Sequence, residues 1–132
     1  MKVELDHVGI AVSQLEESLK FFRDALGLEI SECEEVSSQR VRAHFVPVGN
    51  ATLELLEATA EDSAIARFVE RKGPGLHHIT LRVEDLSMVL NQLRVRGVQL
   101  IDKVPRLGAE GARVAFIHPS SAHGVLVELK EA

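Results

Sequence analysis

Leu76-His77-His78-Ile79-Thr80-Leu81-Arg82-Val83-Glu84-Asp85-Leu86 decides the reading of this chain, because Leu5-Asp6-His7-Val8-Gly9-Ile10-Ala11-Val12-Ser13-Gln14-Leu15 has already written a version of it. Setting His7 against His78, 71 residues apart, brings Val8 to Ile79, Ile10 to Leu81, Val12 to Val83, Leu15 to Leu86 and Leu19 to Leu90; with one residue of slippage Gly27 answers Gly97. Self-similarity at a fixed offset is the mark of a duplicated unit. The chain is therefore read as a duplicated half-domain.

Working outward, the first copy alternates apolar and polar residues from Val3, which predicts a strand with His7 at its centre. Ser13, with Glu16 three residues on, reads as a capping box. Leu15, Leu19, Phe22 and Leu26 then recur at helical spacing up to Gly27. Strands are predicted over 28–35, 41–48 and 52–57, with Gly49-Asn50 as a turn. A linker over 58–75 holds a short helix capped by Asp62 or Ser63 and closed by Gly73-Pro74-Gly75. The second copy repeats the plan: a strand over 76–83, a helix over about 86–96, and strands near 98–104, 113–117 and 124–129. The expected fold class is α+β. Two tandem βαβββ modules, about 1–57 and 76–132 within a single domain 1–132, would pair their sheets into a cupped, half-open mixed barrel.

Composition is consistent with one folded domain. The chain has 132 residues, 45% of them apolar and 27% charged, without any block of like charge. Its net charge of −5, with neither Trp nor Tyr, argues against a nucleic-acid binder, which needs a basic stripe and stacking aromatics. No apolar run is long enough to cross a bilayer. The lone Cys33 excludes an internal disulfide, and the N-terminus enters a strand directly, so the expected location is the cytoplasm. A homodimer is expected, because exposed strand edges invite pairing and twofold assemblies are the commonest.

The duplication also relates four polar side chains. The last strand of each copy carries a carboxylate between apolar neighbours, Glu54 between Leu53 and Leu55 and Glu128 between Val127 and Leu129. Burying an unpaired carboxylate costs several kcal/mol. A cation removes that cost. His7 and His78 with Glu54 and Glu128 form a hard N/O donor set that suits Co²⁺, Mn²⁺, Ni²⁺, Fe²⁺ or Mg²⁺ and leaves positions for substrate. His77 competes with His78, but it is His78 that aligns with His7. His44, His118 and His123 lack symmetric partners and read as surface or loop residues.

These residues resemble the vicinal oxygen chelate (glyoxalase/bleomycin resistance/dioxygenase) superfamily over almost the whole length. Asp6-His7-Val8-Gly9-Ile10-Ala11-Val12 and Phe22-Arg23-Asp24-Ala25-Leu26-Gly27-Leu28 carry the general likeness. Asp62-Ser63-Ala64-Ile65-Ala66, His77-His78 and Phe116-Ile117-His118-Pro119 ahead of Gly124-Val125-Leu126 narrow it to the epimerases that act on methylmalonyl-CoA. The resemblance implies the glyoxalase fold, a divalent metal (Co²⁺ favoured, Zn²⁺ among the alternatives) on His7, Glu54, His78 and Glu128, and an acyl-CoA substrate. It also implies interconversion of the (2R) and (2S) epimers by α-proton transfer through an enolate. Glu128 would be one acid/base group. Where many bacterial members carry a further acidic residue on the 41–48 strand this chain has Ala43, so Glu54, a bound water or His118 is left as the second. The alternatives are a glyoxalase I-type lyase and a small-molecule binding protein of the same fold.

Overall fold

The computed structural model describes residues 1–132 as two compact units, residues 7–77 and residues 1–6 with 78–132. The boundary falls inside strand β1 (Glu4–Ala11).

In the 7–77 unit, β1 is followed by helix α1 (Leu15–Leu19), strands β2 (Glu34–Val36), β3 (Val41–Val48) and β4 (Ala51–Ala58), and helix α2 (Ala64–Lys72). The spatial order is β2-β3-β4-β1, with β1 parallel to β4 and the other neighbours antiparallel. α1 lays Leu15 and Leu19 on Val46 and Leu55, with Val12 completing the buried cluster. Alternation then sends Glu54, between Leu53 and Leu55, to the sheet face opposite the helix.

Two expectations for this unit change. The Ser13 capping box does not form. Gln14 occupies the cap position without a side-chain bond, and the amide of Leu15 donates instead to Glu57 Oε2 at 3.1 Å. After Leu19 the helix widens into π-type turns over Lys20–Ala25, where Leu26 N donates to the Phe21 carbonyl five residues back. Gly27, at φ 75°, supplies the left-handed residue that ends it. The second correction concerns residues 28–35, where only Glu34–Val36 form a ladder. Leu28 and Ile30 pack on the α1 core instead, and Ser31 holds the segment to β3 by donating its N–H to the Phe45 carbonyl and accepting the Phe45 N–H on Oγ. Ser63, not Asp62, caps α2, accepting from Ala66 N at 3.1 Å. Asp62 pairs with Arg40.

The second unit carries β5 (Gly75–Val83, its body from His78), α3 (Leu86–Val95), β6 (Arg106–Leu107), β7 (Arg113–Ile117) and β8 (Val127–Glu131), in spatial order β5-β8-β7-β6. Asp85 caps α3 through Met88 N. Leu86, Val89 and Leu90 pack on Val83, Ala115, Ile117, Val127 and Leu129, the counterpart of the α1 cluster. The expected strand over 98–104 is reduced to one bridge, Leu100 to Ile117. Ile101 N and Asp102 N share the Phe116 carbonyl, and the Asp102 carboxylate takes the Phe116 N–H, so the side chain replaces a ladder bond there. The ladder forms instead at Arg106–Leu107, beyond the expected strand.

The duplication extends to the helix starts. Leu86 N donates to Glu131 Oε2 at 3.0 Å, as Leu15 N does to Glu57. Arg113 pairs with Glu131 as Arg42 pairs with Glu57. Each helix N-terminus is thus met by a strand carboxylate braced by an arginine, favourable contact for unsatisfied amides at the positive end of the helix dipole.

Candidate metal and acid/base site

In the 7–77 unit the face turned away from α1 carries His7 from β1 and Glu54 from β4. His7 Nε2 lies 3.1 Å from Glu54 Oε1, and the two residues are only 5% and 4% exposed. Glu54 has Gly9 as its cross-strand neighbour on β1 and Phe45 on β3. The Phe45 ring meets the His7 imidazole edge-on, 6.3 Å between centroids at 87°.

The other unit repeats this arrangement. His78 from β5 and Glu128 from β8 lie on the face turned away from α3, 6% exposed each, with His78 Nε2 3.5 Å from Glu128 Oε1. Phe116, the β7 neighbour of Glu128, meets His78 edge-on at 6.0 Å and 79°. Phe45 and Phe116 stand 71 apart, the separation of His7 and His78. The sequence reading missed this aromatic pair, although that offset was there to find.

Thr80 was missed as well. It is fully buried, sits opposite Glu128 in the β5–β8 register, and donates its hydroxyl to Glu128 Oε1 at 2.6 Å, a short charge-assisted bond. The signal was alternation: two residues on from His78, Thr80 shares its face.

The competing histidines part company. His77 is half-buried with its ring edge-on to Phe68 at 5.0 Å. His78, not His77, stands beside Glu128. His44 Nδ1 lies 2.8 Å from the Ser31 carbonyl, and His123 is exposed. His118 is exposed as the cap of a 3₁₀ turn, its Nδ1 accepting from Ser120 N at 3.0 Å, and it lines an open cavity of about 440 Å³ with Arg94, Val98, Gln99, Leu100 and Lys103. That cavity lies at the end of α3. Arg113 pairs with Glu131 and donates to the Ser87 hydroxyl.

Two buried imidazole–carboxylate pairs on strand faces are a donor set of the hard N/O kind that binds divalent cations, and desolvated carboxylates of this sort need a compensating charge. Residues 6–116 match the family described as the Glyoxalase/Bleomycin resistance protein/Dioxygenase superfamily. The chain belongs to that superfamily. It is 45% identical over 127 residues to the uncharacterized protein YqjC of Bacillus subtilis, covering 96% of this chain and 91% of that one. It is 36% identical over 129 residues to the mitochondrial methylmalonyl-CoA epimerase of Bos taurus, covering 97% of this chain and 74% of that one. A solved methylmalonyl-CoA epimerase in complex with methylmalonyl-CoA and NH₄⁺ superimposes with a TM-score of 0.93 at 34% identity, over 100% of this chain and 96% of that one. The α+β glyoxalase fold of the superfamily is therefore the fold of this chain, with a βαβββ plan in each unit.

Proposed function

We propose that the protein is a methylmalonyl-CoA epimerase, an isomerase that interconverts the (2R) and (2S) forms of its acyl-CoA substrate by α-proton transfer. The observation that carries this reading is the repeated buried pair, His7 with Glu54 and His78 with Glu128, in a chain that matches methylmalonyl-CoA epimerases across nearly its whole length.

The four residues would together hold one divalent cation, with Co²⁺ the favoured ion. Bound there, the cation supplies the positive charge that stabilises the oxyanion developing on the thioester as the α-proton departs. The remaining work falls to the chain. Glu128 takes the proton, held in orientation by the Thr80 hydroxyl on its Oε1. Glu54 and His7 lie buried together on the matching face of the 7–77 unit. Phe45 and Phe116 wall the two imidazoles, limiting water at the reacting centre. His118, whose Nδ1 accepts from Ser120 N as a turn cap, stays with Glu54 and a bound water among the candidates for the second acid/base group. We further infer that the protein acts in the cytoplasm as a homodimer; sedimentation velocity returning a monomer at micromolar concentration overturns the dimer.

The test is proton NMR of methylmalonyl-CoA in D₂O with an epimer-resolved assay, with Co²⁺ and again after chelation. Metal-dependent α-proton exchange coupled to epimerisation is the expected result. No exchange with metal bound overturns the reading and directs attention to lyase chemistry on a glutathione adduct.

A further inference from the structure

Most arginines and lysines of residues 78–132 face a carboxylate. Arg82 meets Glu4 and Asp6, Lys130 meets Asp6 and Glu110, Arg106 meets Asp102, and Arg113 meets Glu131. No ion pair engages Arg94, Arg96 or Lys103. Two of these three line the open cavity of about 440 Å³ at the end of α3, a volume within the range of small-molecule sites. Val98 and Leu100 give that cavity its apolar wall. Both pack on the α3 cluster with Val127 and Leu129, so they lie on the side of the sheet opposite Glu128.

The polar groups of the lining are donors. Arg94 spends one Nη on Asn91 Oδ1, a neutral acceptor that leaves its charge uncompensated. Lys103 has donors alone. His118 Nδ1 accepts the Ser120 N–H at 3.0 Å, which puts the ring proton of the neutral form on Nε2. Gln99 Oε1 accepts from Ser120 Oγ at 2.8 Å, and the NH₂ of that amide is left to donate. No carboxylate lines the cavity. Asp102, next to Lys103 in the chain, accepts the Phe116 N–H at 2.8 Å and stands 3.3 Å from Arg106 Nε.

Cations in a last helical turn also balance the helix dipole, and that accounts for Arg94 and Arg96. It does not account for Gln99, Lys103 and His118, which come from two further segments. The carbonyls of Gln92, Leu93 and Arg94 are moreover taken by the amides of Arg96, Gly97 and Val98, which lessens their demand for a cation.

We propose that this cavity binds a phosphate-class oxyanion, held by Arg94, Gln99, Lys103 and His118 on the α3 side of the sheet. It is a second site, and it stands whether or not the chain epimerises methylmalonyl-CoA. Donors converging from three segments match the several oxygens of one phosphate group, with Arg94 as a planar fork and Lys103 as a point charge. The phosphate belongs either to a free small molecule or to the coenzyme A portion of an acyl-CoA, and the chemistry recognised is the same.

The experiment titrates inorganic phosphate into the full chain, freed of unbound metal and held at constant ionic strength with chloride, by calorimetry and by ¹H–¹⁵N NMR. Wild type is compared with Arg94→Gln, Lys103→Gln and Arg96→Gln, each checked for unchanged circular dichroism and melting. Expected is saturable binding that shifts the amides over 98–103 and His118 Nε2, with affinity about tenfold weaker in Arg94→Gln and in Lys103→Gln. Arg96→Gln removes an equally unpaired charge outside the cavity and keeps wild-type affinity. Coenzyme A separates the two sources: if it displaces phosphate, and itself binds Lys103→Gln more weakly than wild type, the site takes the coenzyme's phosphates. Phosphate binding undisturbed by saturating coenzyme A assigns the site to a free phosphate. No saturable binding up to about 10 mM phosphate overturns the proposal, as does a loss in Arg96→Gln equal to that in Lys103→Gln, or a Lys103→Gln affinity equal to wild type.

Discussion

Replacing Thr80 with valine removes one oxygen from the protein interior and almost nothing else. The side chain is fully buried and nearly isosteric with valine, and a strand interior favours valine slightly. The lost contact is the 2.6 Å hydrogen bond to Glu128 Oε1. A hydrogen bond to an ionised acceptor contributes about 1.5–3 kcal/mol, with the desolvation of the carboxylate then less well compensated. For a chain of 132 residues, roughly 2 kcal/mol corresponds to a fall in melting temperature of about 6–10 °C. Urea unfolding followed by circular dichroism measures the free energy, and scanning calorimetry the temperature. Thr80→Ser keeps the hydroxyl and restores most of the bond energy while losing a methyl group, so its deficit comes from packing. Catalysis separates the two: the serine variant keeps kcat near wild type, and the valine variant loses about tenfold or more because Glu128 is no longer held in one orientation. A Thr80→Val protein within about 0.5 kcal/mol of wild type, with unchanged kcat, would refute the assignment of Thr80 as the residue that orients Glu128.

The helix-start carboxylates make a second prediction: Glu57→Ala and Glu131→Ala each lose about 1 kcal/mol in urea unfolding, since each removes an acceptor from a first-turn amide. Glu131→Ala is the milder, because Asp85 still caps α3, and equal losses above about 2 kcal/mol would show that more than capping was removed. Glu128→Gln stays folded by circular dichroism but drops epimerisation by about 10²-fold or more; retention of most activity would move the acid/base role elsewhere. The Arg40–Asp62 pair has a pH signature. Its hydrogen bond and charge hold the Asp62 carboxyl below the ordinary carboxylate range and raise the Arg40 guanidinium. A lowered carboxyl contributes stability that is complete above the unfolded pKa and lost as pH falls through the folded one. The small melting difference between wild type and Asp62→Asn should therefore close on acidification, and a difference that grows instead contradicts the pairing.

Much of this protein was legible in one dimension because a strand's alternation and a helix's period are properties of a few consecutive residues. The repeat of Leu5–Leu15 in Leu76–Leu86, the strands 41–48 and 113–117, and the separation of Glu54 and Glu128 from their leucine and valine neighbours all follow from local pattern. So does the preference for His78 over His77, which rests on aligning His7. What the tertiary structure decided depends on which strand lies beside which and in what register. Thr80 meets Glu128, 48 residues away, only because β5 runs parallel to β8 at that register. Leu15 finds its acceptor in Glu57, 42 residues on, rather than in the nearby Ser13 box. The strand expected over 28–35 shrank to Glu34–Val36 because Leu28 and Ile30 bury against α1, and that shift is what sets Glu34 beside Ala43. Alternation assigns a side chain to a face, but cross-strand register alone determines its neighbours there.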